Sequence, residues 1–299
     1  MFFTGIADEA ADAIEGQIAA IRQIGWRWIE LRNINGRNIT DISDAEFEHA
    51  ARSLEAAGLG VNAFASTIAN WGKSILESPE SSLAEARRAI PRMKRLGVRH
   101  VRIMSFGILR DRPPHDQLVD ERVRRLRDIV SLFADEGLQA LHENCANYGG
   151  MGWPFTLELV EKVPGLKLLF DTANPATTLD RTRSDRRPQS SWEFYKNARP
   201  HIAHVHIKDA RFLGDDPGAV FEKADYCWPG EGEGDVRRIV SDLLATGYDG
   251  GLSIEPHLSV VYHDANTPEP NTDARFHSFI EYGRRLETIA GEAASATGK

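Results

Sequence analysis

Strand-like and helix-like segments alternate along the whole of this 299-residue chain. Each strand-like segment is a short apolar run, and each helix-like segment repeats its apolar residues with the spacing of a helix. Such alternation predicts a parallel sheet whose crossover connections are helices. We predict strands at residues 2–7, 28–32, 61–66, 98–105, 138–144, 166–172, 202–208 and 251–256.

Helices are expected between these strands and after the last one, at residues 10–24, 43–57, 81–96, 115–136, 155–163, 191–197, 235–246 and 274–290. Ser43 and Glu46 have the spacing of a capping box at the start of the second helix. Eight strand–helix units in a chain of this length favour one α/β domain over residues 1–299, a single (β/α)8 TIM barrel. A doubly wound open sheet is the alternative, but no glycine-rich dinucleotide motif follows the first strand.

Composition narrows the range of functions. The net charge of −8 disfavours a nucleic-acid partner, because binding nucleic acid usually needs a basic surface. Cys145 and Cys227 are too few for a disulfide framework. No apolar run is long enough to span a membrane, and the first residues lack the basic start and apolar core of a signal peptide. We therefore expect a cytoplasmic protein without a membrane partner.

Polar residues stand at the ends of four consecutive predicted strands, where TIM barrels place their chemistry. Strands five to eight end in Glu143, Asp171, His206 and Glu255. Three carboxylates and an imidazole suit a hard or borderline divalent cation, Mn²⁺ or Mg²⁺ first, with Co²⁺ or Zn²⁺ as alternatives. Each residue alone has an ordinary explanation, such as a helix cap for Asp171 or a lysine partner for Glu143. Four of them at corresponding positions are harder to explain in that way.

The seventh predicted strand carries an unusual number of polar side chains. Because side chains alternate along a strand, His204, His206 and Lys208 share one face, and Val205 and Ile207 share the other. Three polar groups on a buried face are costly unless a metal, a substrate or a carboxylate satisfies them. The alternative is a half-exposed strand with histidines at its solvated end.

Five segments of the chain resemble one known superfamily. They are Trp28–Arg32, His142–Asn144, Phe170–Asn174, His204–Asp209 and Ser253–His257. By their order and spacing the chain is similar to the sugar isomerase/epimerase superfamily. That superfamily has a xylose-isomerase-like TIM barrel of the AP-endonuclease-2 type and also includes endonuclease-IV-type enzymes.

The resemblance implies a metal-dependent isomerase or epimerase that works on a sugar, a sugar derivative or a cyclitol through an enolate. It places the ligands of one divalent metal ion on Glu143, Asp171, His206 and Glu255. Glu143 and Glu255 would also act as acid and base, one removing the α-proton and the other returning a proton. Relatives with the same core imply an alternative, a lyase or dehydratase acting on a keto-sugar, an inosose or a 3-keto-glycoside.

Two more remote alternatives are an endonuclease-IV-like enzyme and a non-catalytic barrel. The endonuclease would need histidines at the ends of strands three and four, where this chain has none. The four intact ligand positions count against a barrel without catalysis. The resemblance implies that the partner is a small-molecule carbohydrate. Many barrels of this type are homo-oligomers, although the sequence itself carries no interface signal.

Ketose 3-epimerases carry a histidine, an arginine and a glutamate where this chain has Asn174, Phe212 and Gly149, so the substrate-orienting residues differ. The alternative role for Glu30 and Arg32 is a structural ion pair. The alternative role for Trp228 is packing within its loop. The loop at residues 212–234 is expected to lie over the catalytic face. Our candidates for substrate contact are Glu30, Arg32, Asn62, Ser105, Asn144, Asn174, His204, Lys208, Trp228 and His257.

Overall fold

The computed structural model describes residues 1–217, 219–259 and 271–297. The strands are β1 (Phe2–Gly5), β2 (Trp28–Leu31), β3 (Asn33–Ile34), β4 (Arg37–Asn38), β5 (Gly60–Phe64), β6 (His100–Ile103), β7 (Gln139–Glu143), β8 (Lys167–Asp171), β9 (Ile202–Ile207), β10 (Asp209–Gly214), β11 (Lys223–Cys227) and β12 (Gly251–Ile254). The helices are α1 (Ile14–Ile24), α2 (Asp44–Ala57), α3 (Glu80–Leu96), α4 (Val119–Ala134), α5 (Trp153–Lys162), α6 (Ser191–Ala198), α7 (Val236–Ala245) and α8 (Thr272–Thr297).

Eight of the strands form one parallel sheet that curls into a nearly closed barrel. Neighbouring strands follow the order β1–β12–β9–β8–β7–β6–β5–β2. The edge strands β1 and β2 lie side by side, and Ile6 and Glu30 form a parallel bridge between them. All eight predicted strand–helix units are present. The predicted TIM barrel is therefore confirmed.

Helices cover the outside of the barrel with their apolar faces. In α1, the residues Ile14, Ile18 and Ile21 are buried, as the helical spacing of the sequence predicts. On β9, Val205 and Ile207 belong to the same hydrophobic core. Because side chains alternate along a strand, the histidines of β9 are left on its inner face.

Three helix boundaries differ from the sequence predictions by four residues or more. Helix α1 begins at Ile14 instead of residue 10, because Ala7–Glu9 forms a 3-10 turn first, and helix α4 begins at Val119 instead of residue 115. Helix α8 continues to Thr297 instead of ending at residue 290. Ala290 and Ala293 are both buried, so the small residues of this tail prolong the packed face of the helix.

Two short antiparallel hairpins, β3–β4 and β10–β11, were not predicted. The second one follows β9 and fills much of the long loop at the C-terminal end of the barrel. Arg110 holds it by donating hydrogen bonds to the carbonyl oxygens of Pro217 at 3.3 Å and Val220 at 2.7 Å. The insertion therefore lies on the face where the sequence placed it.

The capping box at the start of α2 is present and offers a test of local folding. Ser43 Oγ accepts a hydrogen bond from the Glu46 backbone N–H, and the Glu46 carboxylate accepts one from the Ser43 backbone N–H. We expect Ser43→Ala to lower the free energy of unfolding by about 1 kcal/mol, measured in urea. Ser81, exposed in the first turn of α3, provides the control, because Ser81→Ala should change it by less than about 0.5 kcal/mol. Equal losses in the two variants would contradict the capping role.

Candidate active site

Four buried side chains meet at the C-terminal ends of consecutive barrel strands. Glu143 ends β7, Asp171 ends β8, His206 lies near the end of β9, and Glu255 follows β12 directly. The strand register brings Asp171 opposite His206. Ligand atoms of all four side chains lie within 4.8 Å of one another. The cluster predicted from the strand ends thus exists as a geometric unit, which we call the carboxylate–histidine cluster.

Three atoms of this cluster are buried and make no hydrogen bond: Glu143 Oε2, Asp171 Oδ2 and His206 Nδ1. Cations lie nearby, with Lys208 Nζ 3.0 Å from Asp171 Oδ2 and Arg102 Nη1 3.2 Å from Glu143 Oε2. Neither contact has the angles of a hydrogen bond. Buried polar atoms are nearly always satisfied, and two oxygens with one imidazole nitrogen are donors that a divalent cation accepts. The cluster therefore fits a metal ion.

Two other acid–histidine groups could be mistaken for metal sites, namely Glu30 with His204 and His206, and Glu9 with Glu255 and His257. In the first, the oxygens of Glu30 bind His204 Nε2 at 2.7 Å and His206 Nε2 at 3.0 Å. In the second, both Glu9 oxygens hydrogen-bond to His257. The carboxylates in these groups already hold hydrogen-bond donors, so the carboxylate–histidine cluster fits a cation better.

Glu30 fixes the orientation of His206. With Nε2 bonded to Glu30, the other ring nitrogen Nδ1 faces Glu143 Oε1 at 3.5 Å and Glu255 Oε2 at 3.4 Å. Burial lowers the pKa of His206, but the neighbouring carboxylates, Glu30 foremost, raise it well above its usual range. Burial alone would raise the pKa of Glu30, yet His206 and His204 bring it well below its usual range. The carboxylates around His206 thus favour a positive charge at its imidazole ring.

The surroundings of the cluster hold more acid than permanent base. The buried carboxylates are Asp8, Glu9, Glu30, Glu143, Asp171 and Glu255, and the permanent cations are Arg32, Arg102, Lys208 and Arg275. Burial raises the pKa of Asp171 to about 6 despite the opposing effect of Lys208. For Glu255, the effects of Lys208 and His206 outweigh burial and bring its pKa well below the usual range. A divalent cation would offset this excess of negative charge.

A cavity of about 140 Å³ opens over the cluster. One side of it is charged and includes Glu143, Glu255, Arg32, Arg102, Lys208 and His257. The other side is largely apolar, formed by Trp71, Met104, Cys145 and Phe221. Trp71 comes from the loop after β5 and meets Phe221 of the β10–β11 hairpin edge-on, with 5.1 Å between ring centroids. The pocket is therefore suited to a small polar molecule held between charged and aromatic walls.

Four of the predicted substrate contacts line this cavity: Arg32, Asn174, Lys208 and His257. Asn174 Nδ2 donates to Glu143 Oε1 at 3.4 Å. Its backbone N–H donates to Asp171 Oδ1 at 2.8 Å. Asp171 thus caps the turn after β8 with one oxygen and keeps its other oxygen in the cluster.

The other six predicted contacts lie outside the cavity lining. Glu30, His204 and Asn62 are deeper in the barrel, where Asn62 Nδ2 is 3.5 Å from His204 Nε2. Asn144 Nδ2 and Oδ1 both bond to the backbone of Asp171, which joins β7 to β8. These polar residues follow the rule that polar side chains at strand ends mark the site, which we call the strand-end rule. Their hydrogen bonds, however, hold other residues in position around the cavity.

Ser105 and Trp228 also lie outside the cavity lining. Ser105 Oγ bonds to Asn147 at 2.7 Å and lies 3.0 Å from His142 Nε2. His142 precedes Glu143 on a regular strand, so it faces away from the cluster. The ring of Trp228 packs under the guanidinium of Arg285, 4.2 Å from its centroid.

Sequence reasoning missed several residues of the site. Asp8 and Glu9 follow β1 and bind Arg32, and the strand-end rule that located Glu143 applies to them equally. Arg102 lies on β6, in the apolar run that signalled the strand. Tyr226 lies on β11 and meets the His257 ring edge-on, with 5.0 Å between the ring centroids. No local signal in the sequence brings that tyrosine to the barrel.

Comparison with known proteins agrees with this architecture. The family model described as a xylose isomerase-like TIM barrel matches residues 18–277. The chain therefore belongs to the xylose isomerase-like TIM barrel family. No helix among the described residues is long and apolar enough to cross a membrane.

Solved structures share the fold at low sequence identity. A xylose isomerase-like TIM barrel protein from Mycobacterium smegmatis in complex with magnesium has a TM-score of 0.67 and 17% identity, over 97% of each chain. The probable 3-DHS dehydratase AsbF of Bacillus anthracis has a TM-score of 0.69 and 18% identity, over 96% of this chain and 99% of that one. A D-allulose 3-epimerase from Methylomonas sp. in complex with D-allulose has a TM-score of 0.64 and 15% identity, over 96% and 97%.

One curated relative, the uncharacterized protein YihM of Escherichia coli, is 29% identical over 138 residues. The match covers 42% of this chain and only 37% of that protein. Structures that share this fold are described as an epimerase and as a dehydratase, and the fold alone does not choose between these reactions.

Proposed function

We propose that the protein is a metal-dependent enzyme that enolises a keto sugar, a sugar derivative or a cyclitol and acts as an isomerase or epimerase. The observation that carries the proposal is the carboxylate–histidine cluster. Its three unbonded buried atoms lie beside a cavity into which Glu143 and Glu255 both project. Neighbours of the same fold that bind magnesium and D-allulose support it.

Glu143, Asp171, His206 and Glu255 would hold the metal ion. Oxygen donors with one imidazole favour Mn²⁺ or Mg²⁺, with Co²⁺ or Zn²⁺ as alternatives. When bound, the ion would stabilise negative charge developing on a carbonyl oxygen. Glu30 would support the site by holding His206 through Nε2, as outer carboxylates do for ligating histidines.

Glu143 and Glu255 are placed to move protons on two sides of a bound carbon. In the barrel, β8 and β9 separate β7 from β12, so the two carboxylates approach the cavity from different directions. Arg102 and His206 more than offset the effect of burial on Glu143 and lower its pKa. Lys208 and His206 likewise outweigh burial at Glu255 and lower its pKa. One ionised carboxylate would accept the α-proton, and the other would take up a proton from solvent and return it to the opposite face.

A lyase or dehydratase is the second candidate, and the charge at the Glu255 side of the cavity favours it. Lys208 Nζ lies 3.3 Å from Glu255 Oε2, and Arg32 Nη1 lies 2.6 Å from Glu255 Oε1. Cationic donors on one side of the site would assist the departure of a hydroxide or glycosidic oxygen β to the carbonyl. Both candidates share the enolisation step.

The test is solvent exchange in D₂O. Metal-stripped protein is loaded with Mn²⁺ and incubated with a panel of keto sugars, inososes and 3-keto-glycosides, and NMR follows deuterium incorporation and products. We expect metal-dependent exchange at a carbon next to the carbonyl. A rearranged sugar would identify the isomerase or epimerase, and release of water or an aglycone would identify the lyase. Failure to bind Mn²⁺ at about one equivalent would refute the proposed metal site.

A further inference from the structure

Glu9 and His257 join the first and last strand units of the barrel at the mouth of the cavity. Glu9 Oε1 is 2.7 Å from His257 Nδ1, and Glu9 Oε2 accepts a hydrogen bond from the His257 backbone N–H at 2.7 Å. Both residues are buried. One carboxylate therefore fixes both the ring and the backbone of the histidine.

The backbone of His257 is unusual. Its φ is 54°, in the left-handed region that residues other than glycine rarely adopt. Such a conformation persists where surrounding contacts hold it in place, often at functional sites. Here the two hydrogen bonds between Glu9 and His257 provide that constraint. The imidazole consequently lines the cavity, with Nε2 3.9 Å from Glu255 Oε1.

A histidine held by a carboxylate through Nδ1 is oriented for proton transfer at Nε2. We infer that His257 is an additional catalytic residue, whose Nε2 moves a proton between two neighbouring oxygens of the substrate, with Glu9 as its positioning residue. The inference rests on the proposed function and favours aldose–ketose isomerisation within it. Epimerisation regenerates the same carbonyl, so it needs no such transfer.

The proton balance of the step closes without a further reactant. For a ketone at carbon two with a hydroxyl on carbon one, a carboxylate of the site takes a proton from carbon one. The C–H electron pair forms the double bond between the two carbons, and the ketone oxygen becomes an enolate oxygen. Nε2 takes the proton from the hydroxyl on carbon one and gives it to the enolate oxygen, and an aldehyde forms at carbon one. Carbon two receives the proton that the carboxylate held, and both side chains return to their starting state.

The test uses the substrate that the D₂O experiment identifies. It compares the rate of conversion from ketose to aldose with the rate of deuterium exchange at the α-carbon. His257→Asn is the suitable variant, because asparagine tolerates the left-handed backbone. We expect conversion to aldose to fall by about 10²-fold or more, and to fall far more than α-carbon exchange does. Mn²⁺ titration should give the same affinity as for the unaltered protein. His277→Asn, exposed on α8, should leave the ratio of conversion to exchange unchanged.

Positioning by Glu9 has a readout that needs no substrate. The experiment uses metal-stripped protein labelled with ¹⁵N-histidine, and the signal that disappears in His257→Asn is assigned to His257. We expect this signal to show a proton on Nδ1 that exchanges slowly with water. Glu9→Gln should make this exchange faster. A solvent-exchanging Nδ1 in the unaltered protein would overturn the inference.

Three other results would also overturn the inference: equal losses of conversion and exchange in His257→Asn, no loss of either, or loss of Mn²⁺ binding in that variant. If the unaltered protein exchanges no substrate in the panel, the proposed function fails by itself. The NMR signal of His257 then decides whether the Glu9–His257 pair exists as inferred.

Discussion

Glu143→Gln is expected to reduce metal-dependent turnover by about 10²–10⁴-fold, the loss typical of removing a general acid or base. Glutamine keeps the size of the side chain and the bond that Asn174 donates to Glu143, but it cannot accept the α-proton. The measurement is the initial rate of turnover at saturating Mn²⁺, on the substrate that the D₂O experiment identifies. Saturation matters because Glu143 is also a proposed ligand, so a weaker metal affinity must be separated from a lost proton acceptor.

The matched control is Glu161→Gln, a change of the same kind at an exposed position of α5. It should leave turnover unaltered. If excess Mn²⁺ restores the turnover of Glu143→Gln, then Glu143 is only a ligand, and the assignment of the base moves to Glu255. If turnover never falls, the proposed site is wrong.

The barrel could be predicted from the sequence because its signals are local. Helical spacing in α1 and the alternation in β9 each lie within one element. In a parallel barrel all strands end at one edge, so the strand ends also bring Glu143, Asp171 and His206 together without knowledge of loop structure.

The rest of the site depends on contacts between distant parts of the chain. Phe221 reaches the cavity and Tyr226 reaches the His257 ring only because the β10–β11 hairpin folds back over the barrel. Arg110 holds that hairpin from the loop after β6, and Arg186 pairs with Asp215 in the turn between β10 and β11. Neither contact has a short-range sequence signature. The strand-end rule also cannot distinguish a residue that lines the cavity from one that supports the neighbouring strand. Asn144 is of the second kind, because its side-chain hydrogen bonds go to the backbone of Asp171.

Arg32→Met is expected to lower the free energy of unfolding by about 3–5 kcal/mol, because it leaves buried carboxylates without their cation. Arg32 holds Asp8 at 2.9 Å, Glu9 at 3.2 Å and Glu255 at 2.6 Å. Burial already raises the pKa of Asp8 even with this guanidinium beside it. Methionine fills similar space but supplies no charge and no donor. Urea unfolding of the metal-stripped protein measures the loss.

Arg37→Met provides the comparison, five residues along the chain. Arg37 pairs with Glu46 at 2.6 Å, but its side chain is 55% exposed. Exposed pairs contribute only about 0–1 kcal/mol, so this variant should stay close to the unaltered protein. Similar losses in the two variants would show that Arg32 acts as an ordinary surface ion pair. A much larger loss for Arg32, partly recovered on adding Mn²⁺, would show that the guanidinium and the metal ion offset the same buried negative charge.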